Sequence, residues 1–197
     1  VTTREADLTA LKDVNLEISD GNVVANEKMQ SSLKNVYVPG DVNDKNLLAH
    51  AAFKMGDIAA SEIVEGKSDK YNNNIIPRAI YTYPEIGSVG LTEEEAKKSY
   101  DVKVGKFNYG ANGRALAHGD SSGMVKIISD ARYGEILGAH IVGPRASELI
   151  NEVSILMQSE VIVEEAIKMV FGHPTFSEAI YESIADVEGV SVHLPKK

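Results

Sequence analysis

The chain has 197 residues, 43% of them apolar, with 20 Lys and Arg against 29 Asp and Glu for a formal charge of −9, and it has no cysteine. The missing cysteine excludes disulfides, thiolate nucleophiles and Cys-ligated metal from these residues and leaves the redox compartment open. Acidic balance without a dense Lys/Arg stripe argues against nucleic acid and anionic membrane as partners; no apolar run reaches the roughly 18 residues of a membrane span and the start lacks a signal-peptide pattern, so the reading is of a soluble, cytoplasmic protein.

The opening stretch, up to Gln30, is polar with short apolar pieces at Val14, Leu16, Ile18, Val23 and Val24; it begins at Val1 and reads as cut from something longer. Val36-Tyr37-Val38 is a β-prone run that stops at the turn sequence Pro39-Gly40-Asp41. Residues 47–65 then carry Leu48, Ala51, Ala52, Met55, Ala59 and Ile63 at helical spacing, with Gly66 as the stop, which predicts a helix of about five turns. Residues 66–74 are turn-rich and aperiodic, so a boundary near residue 70 divides 1–70 from 71–197.

Beyond it, residues 79–81, 88–91, 102–108, 124–129 and 136–142 are five short β-prone runs separated by Gly- or Asp-containing turns, which predicts a mostly antiparallel sheet. Thr92 with Glu95 three residues later is a capping box, and residues 146–158 place Leu149, Ile150, Val153, Leu156 and Met157 on one helical face. Further helices are predicted over 163–170 and from Pro174 through Ile180 and Ile184 to Gly189. This second part reads as α+β, with helices collected on one side of the sheet.

Two segments could carry chemistry. At Gly40-Asp41 a hydrophobic strand ends in a tight turn, leaving one carboxylate at the strand's carboxyl end, where open α/β sheets bind cofactors and where it can accept from polyol hydroxyls. The helix that follows aims unpaired N–H groups and its positive dipole end at the same crevice. The plainer reading is a simple turn in which Asp41 or Asp44 caps a helix. The second segment is Gly172-His173-Pro174-Thr175-Phe176-Ser177-Glu178. Pro174 keeps His173 on the turn, and a carboxylate at Glu178 can accept one imidazole N–H and raise the basicity of the other nitrogen, which makes a general base with its orienter. Here too a plainer reading competes, because Thr175 and Glu178 form a capping box and His173 could be an ordinary buried histidine.

His50, His118, His140 and His193 are not spaced as metal ligands on a helix, and no metal site is predicted. The glycine pieces 110–113 and 119–123 match no phosphate or dinucleotide fingerprint and are read as loops. Arg114 and Lys126 are assigned to solvated faces or ion pairs, and Glu93-Glu94-Glu95 to the negative charge favoured at a helix amino terminus.

Several segments, in this order and spacing, resemble the flavin-dependent pyridine nucleotide-disulfide oxidoreductases, most closely the dihydrolipoamide dehydrogenases within that family. Val36-Tyr37-Val38-Pro39-Gly40-Asp41 is similar to the family's second FAD motif. Tyr81-Thr82-Tyr83-Pro84-Glu85 with Ser88-Val89-Gly90 is similar to the start of its interface domain, although many relatives carry another residue at the position of Tyr83. Gly123-Met124-Val125-Lys126 and residues 137–143 are similar to its interface strands. Residues 172–178 are similar to its catalytic histidine motif, which glutathione reductases also keep.

The resemblance implies roles. Asp41 would bind the ribityl part of FAD, and Leu47, Leu48, Ala49 and His50 would lie against the flavin. His173 would take the proton from dihydrolipoamide so that its thiolate attacks an enzyme disulfide, Glu178 would hold the imidazole, and electrons would pass through FAD to NAD+. The histidine of one subunit would serve the disulfide of the other, making a homodimer whose substrate is the lipoyl group of a 2-oxoacid dehydrogenase or glycine cleavage complex. The family's two Gly-x-Gly-x-x-Gly fingerprints and its Cys-x4-Cys are absent from residues 1–197. The expectation is therefore a carboxyl-terminal portion: the end of an FAD domain, with the tail of an NAD-domain region, followed by a whole interface domain. A stand-alone dimerisation module and a glutathione-type disulfide reductase are the alternatives.

Overall fold

Residues 14–195 are described by the structure, a computed structural model, and they fall into two compact units that divide between Asn73 and Asn74.

In the first unit, β1 (Ile18–Ser19) and β2 (Asn22–Val23) pair as an antiparallel hairpin. Its two-residue turn, Asp20-Gly21, has φ of 49° and 84°, the positive pair that an Asp-Gly hairpin turn adopts. The expected strand at Val36-Tyr37-Val38 is not a strand. Tyr37 makes one isolated bridge with Gln30, Val36 bonds to Leu33 and Ser31, and the Val38 N–H donates to the Met29 carbonyl at 2.8 Å. The segment satisfies its backbone on its own upstream loop instead of a ladder, since no strand pairs with it among the described residues.

Helix α1 (Ala49–Glu65) follows, starting two residues after the predicted start. It stops where expected, at Gly66, whose left-handed φ of 64° lets its N–H reach the Glu62 carbonyl. Ala51, Met55, Ile58 and Ala59 form the buried stripe, while Ile63 is exposed, so the stripe is shorter than its spacing implied. Val23, Met29, Val38 and Tyr71 are the other buried apolar residues described in this unit.

The second unit is built on a sheet of β3 (Arg78–Ile80), β4 (Ile86–Gly90), β5 (Val102–Asn108), β6 (Met124–Asp130) and β7 (Ile136–Val142). The strand order is β3-β4-β7-β6-β5 and every pairing is antiparallel. Phe107 pairs with Val125 and Val125 with Ile141, so one rung supplies three buried side chains to one face. That face is covered by α4 (Ala146–Gln158), through Leu149, Ile150, Val153 and Met157, and by α6 (Glu178–Val187), through Ala179, Ile180, Ile184 and Val187.

Short α2 (Glu93–Ala96) lies on the other face, where Ala96 clusters with Ile128 and Leu137. Its capping box is formed in both directions between Thr92 and Glu95, and Lys126 pairs with Glu93 at 2.5 Å. The segment read as a glycine loop at 110–113 is a correction. A single 3-10 turn, Tyr109–Ala111, leads into α3 (Gly113–His118), started by Asn112, whose side-chain oxygen accepts from the Ala115 N–H. The helix predicted over 163–170 is shorter, α5 (Val163–Ala166). Among the described residues no helix is long and apolar enough to cross a membrane.

Candidate active site

The segment between α5 and α6 is held at both ends. Thr175 Oγ1 donates to the Gly172 carbonyl at 2.7 Å, and the His173–Pro174 peptide is cis. Phe176 is buried edge-on against Tyr109, with ring centroids 6.1 Å apart, and against His118 at 5.8 Å. Asn112 Nδ2 donates to the Thr175 carbonyl at 3.0 Å, and Ser177 Oγ donates to Glu152 on α4 at 2.7 Å. The histidine turn is thus tied to residues 109–118 and to α4 by two aromatic contacts and two hydrogen bonds.

Glu178, in the first turn of α6, uses its two carboxylate oxygens separately. Oε1 is 2.8 Å from His173 Nδ1 and Oε2 accepts from the Thr175 N–H at 2.8 Å. Only half of the expected capping box therefore forms, because Thr175 turns its hydroxyl to Gly172. With Nδ1–H donating to the carboxylate, His173 Nε2 keeps its lone pair, and it has no partner among the described residues. The imidazole is 74% exposed and the carboxylate 20% exposed, so a sheltered anchor presents an accessible base.

Burial pushes the Glu178 carboxyl up, but the Thr175 amide and the His173 ring oppose it and leave it below the ordinary glutamate range. A depressed folded value means that the stability this carboxylate contributes is present above its unfolded value and is lost as pH falls through the folded one. A carbon-detected NMR titration should place the Glu178 midpoint below that of a glutamate in an unstructured peptide. A midpoint at or above it would contradict the contact.

Sequence reasoning did not find the second imidazole–carboxylate pair, one turn further along α6. Glu182, nearly fully buried, accepts from His193 Nδ1 at 2.7 Å, from the Val192 and His193 amides, and from Ser191 Oγ. It also did not find Asn112, for which an Asn directly before a helix was the available signal. A surface depression of about 380 Å³ adjoins the histidine turn, lined by Pro174 to Ser177, Leu149, Glu148 and two arginines, Arg114 and Arg145.

The other predicted residues lie in the first unit. Asp41 opens a 3-10 turn, Asp41–Asn43, and its exposed side chain has no partner among the described residues. Leu47 is exposed, Leu48 is the extended residue before α1, and Ala49 and His50 are its first two residues. No side chain caps this amino end, so its amides can take an electron-rich oxygen. A carboxylate beside an uncapped helix start fits a ligand offering both hydroxyl donors and carbonyl acceptors, as the polyol and ring of a flavin do.

Glu85, from the Tyr81 to Glu85 motif, accepts from the Ser147 amide at 3.0 Å and from its hydroxyl at 2.7 Å, which satisfies the start of α4. These bonds bring its carboxyl below the ordinary range against a smaller cost of burial. Strands β4, β6 and β7, where the remaining motifs fall, form the middle of the sheet. Residues 76–184 match the family model described as the pyridine nucleotide-disulphide oxidoreductase dimerisation domain, more than half of the chain.

The chain belongs to this oxidoreductase family. His173 and Glu178 lie inside the matched dimerisation domain, whereas Asp41 and residues 47–50 lie before it. The chain is 38% identical over 184 residues to the dihydrolipoyl dehydrogenase of Bacillus subtilis strain 168, covering 93% of this chain and 40% of that protein. It is 40% identical over 175 residues to that of Thermus scotoductus, covering 88% and 38%.

Two solved structures share the fold. LpdA from Mycobacterium tuberculosis superposes with a TM-score of 0.83 at 23% identity, over 88% of this chain and 38% of its own. The Cu(II) complex of the HOCl-induced flavoprotein disulfide reductase RclA from Escherichia coli gives 0.78 at 24% identity, over 87% and 40%. The chain spans about 40% of the length of the curated relatives it matches.

Proposed function

We propose that these residues supply the acid-base half of a dihydrolipoamide dehydrogenase active site, together with its dimerisation surface and the last part of an FAD site. The observation that carries this reading is the 2.8 Å contact of His173 Nδ1 with Glu178, which leaves an exposed Nε2 as acceptor.

In this reading His173 Nε2 accepts the proton of a dihydrolipoamide thiol. The resulting thiolate attacks one sulfur of an enzyme disulfide, forming a mixed disulfide and releasing the other sulfur as thiolate. Glu178 stabilises the imidazolium that forms and fixes the ring so that Nε2 stays aimed outward. The second substrate sulfur then closes the lipoamide ring and completes the reduction of the enzyme disulfide to a dithiol. FAD, when bound, carries the electron pair from that dithiol to NAD+. Asp41 would hold the ribityl hydroxyls, and residues 47–50 would meet the flavin through the uncapped start of α1. With no cysteine in these 197 residues, the disulfide comes from sequence outside them, in a homodimer from the partner subunit.

The test is the full-length protein assayed with NAD+ against dihydrolipoamide and, in parallel, with reduced nicotinamides against glutathione disulfide. Turnover of the first and not the second is expected; the reverse would move the enzyme to the glutathione-type reading. Alone, the 197 residues should retain little or no FAD and oxidise no dihydrolipoamide. They should still dimerise in light scattering at tens of micromolar, and a strictly monomeric chain would count against the interface assignment.

A further inference from the structure

The Gly40-Asp41 turn is held from beneath by sulfur. The Gly40 N–H donates to Met55 Sδ at 3.2 Å. Asn43 Nδ2 approaches the same sulfur at 3.4 Å and Met29 Sδ at 3.6 Å, while donating to the Val38 carbonyl at 2.7 Å. The Asn43 side-chain oxygen in turn accepts from the Lys45 N–H at 2.9 Å. Met29 and Met55 are fully buried and Asn43 is nearly so. One side chain of α1 therefore ties down the turn that precedes its own helix.

The geometry at Gly40 shows why an acceptor is needed there. With φ of 81° and ψ of −158° it occupies a region essentially restricted to glycine, and it is buried with its amide against Met55 Sδ. A buried N–H must find an acceptor. A thioether is a weak one, but it is polarisable and tolerant of direction, so a single sulfur can serve both the Gly40 amide and the Asn43 amide group. The contact fixes the Pro39–Gly40 peptide, and Gly40 alone links that peptide to Asp41, so the placing of the Asp41 side chain depends on it.

We propose that Met55 is a positioning residue for FAD, acting through the Gly40 amide to hold the Asp41 carboxylate where it meets the ribityl hydroxyls. The proposal rests on the FAD reading of Asp41.

The test compares Met55→Leu, which keeps an apolar side chain of similar volume without an acceptor, with Met55→Gln, which restores an acceptor. Both are made in the full-length protein. FAD affinity is read by flavin fluorescence on reconstitution, and amide hydrogen exchange is read over the peptide containing Gly40 in the flavin-free protein. Met55→Leu should weaken FAD binding about five- to tenfold, the cost of one lost hydrogen bond, and speed exchange at Gly40. Met55→Gln should do neither.

Unchanged affinity in Met55→Leu, unchanged exchange at Gly40, or an equal loss in Met55→Gln would overturn the proposal, the last because it would reduce the role of Met55 to packing. Should Met55→Leu not fold, Met55→Gln decides alone: exchange and affinity like the parent's support the acceptor role, and a loss in either refutes it. Asp41→Ala separates the underlying reading, since undiminished FAD affinity there would remove the ribityl role while leaving the Gly40 exchange result to stand on its own.

Discussion

His173→Gln in a full-length protein carrying this sequence is expected to lower kcat for dihydrolipoamide oxidation about a hundredfold or more, the range in which a positioned general base contributes. Glutamine suits the test because its side-chain amide can still donate to the Glu178 Oε1 that His173 Nδ1 now faces at 2.8 Å. The turn keeps its anchors at Gly172, Thr175 and Ser177, all of which are independent of the imidazole. What is lost is the proton acceptor at Nε2. FAD content and dimer formation should match the parent enzyme, since the roles given to Asp41 and to the sheet make no use of this ring. A variant with full turnover would remove His173 from the mechanism.

Glu178→Gln should fall between the parent and His173→Gln, with a loss of about ten- to a hundredfold. A glutamine offers one acceptor oxygen where the carboxylate offers two, so the Thr175 amide and His173 Nδ1 would compete for it. If Glu178 were only a helix cap, its loss would cost stability without a matching fall in kcat; a fall in kcat at unchanged melting temperature assigns it to orientation of the base.

The contact between these two residues was legible because five positions separate them, and a turn followed by a helix start leaves few ways to arrange them. The strands 102–108 and 136–142 and the helix 146–158 were legible to the residue, because each carries several apolar repeats at one period between strong turn signals. Short elements were not. Neither the two-residue strands at Ile18 and Asn22 nor the six residues of α3 give a period enough repeats to be seen. Val36-Tyr37-Val38 failed for another reason: its composition favours a strand, but a strand exists only where a partner edge is present.

Most of what supports the site was invisible for want of locality. Asn112 reaches Thr175 across 63 positions, Glu152 reaches Ser177 across 25, and Met55 reaches Gly40 across 15. Such contacts are decided by how each helix packs on the segments around it, and no spacing in the chain encodes them.

That packing leads to the second large effect, at Gly105 in β5. A Cβ there would stand 1.9 Å from the Ser183 carbonyl oxygen and 2.7 Å from the Val187 N–H nitrogen, both backbone atoms of α6. Neither can swing aside as a side-chain tip can, so Gly105→Ala must move the helix. Three bonds hold it in register: Ser183 Oγ donates, shared, to the Gly105 carbonyl at 3.1 Å and to that of Val125 at 3.2 Å, and Asp186 accepts from the Lys106 amide at 3.0 Å. Overpacking together with strain on these buried bonds should destabilise the protein by about 3 kcal/mol and lower the melting temperature by roughly 10 °C. Gly110→Ala is the control, because a Cβ at Gly110 meets nothing within 4 Å; its melting temperature should stay within about 2 °C of the parent's. Equal melting temperatures for the two variants would mean that α6 does not lie against Gly105. Where Gly105→Ala still folds, the shift reaches the active site, since α6 begins at Glu178. A displacement of about 1 Å at that carboxylate is enough to cost up to a hundredfold in rate, so the variant should lose kcat although residue 105 touches no reacting atom.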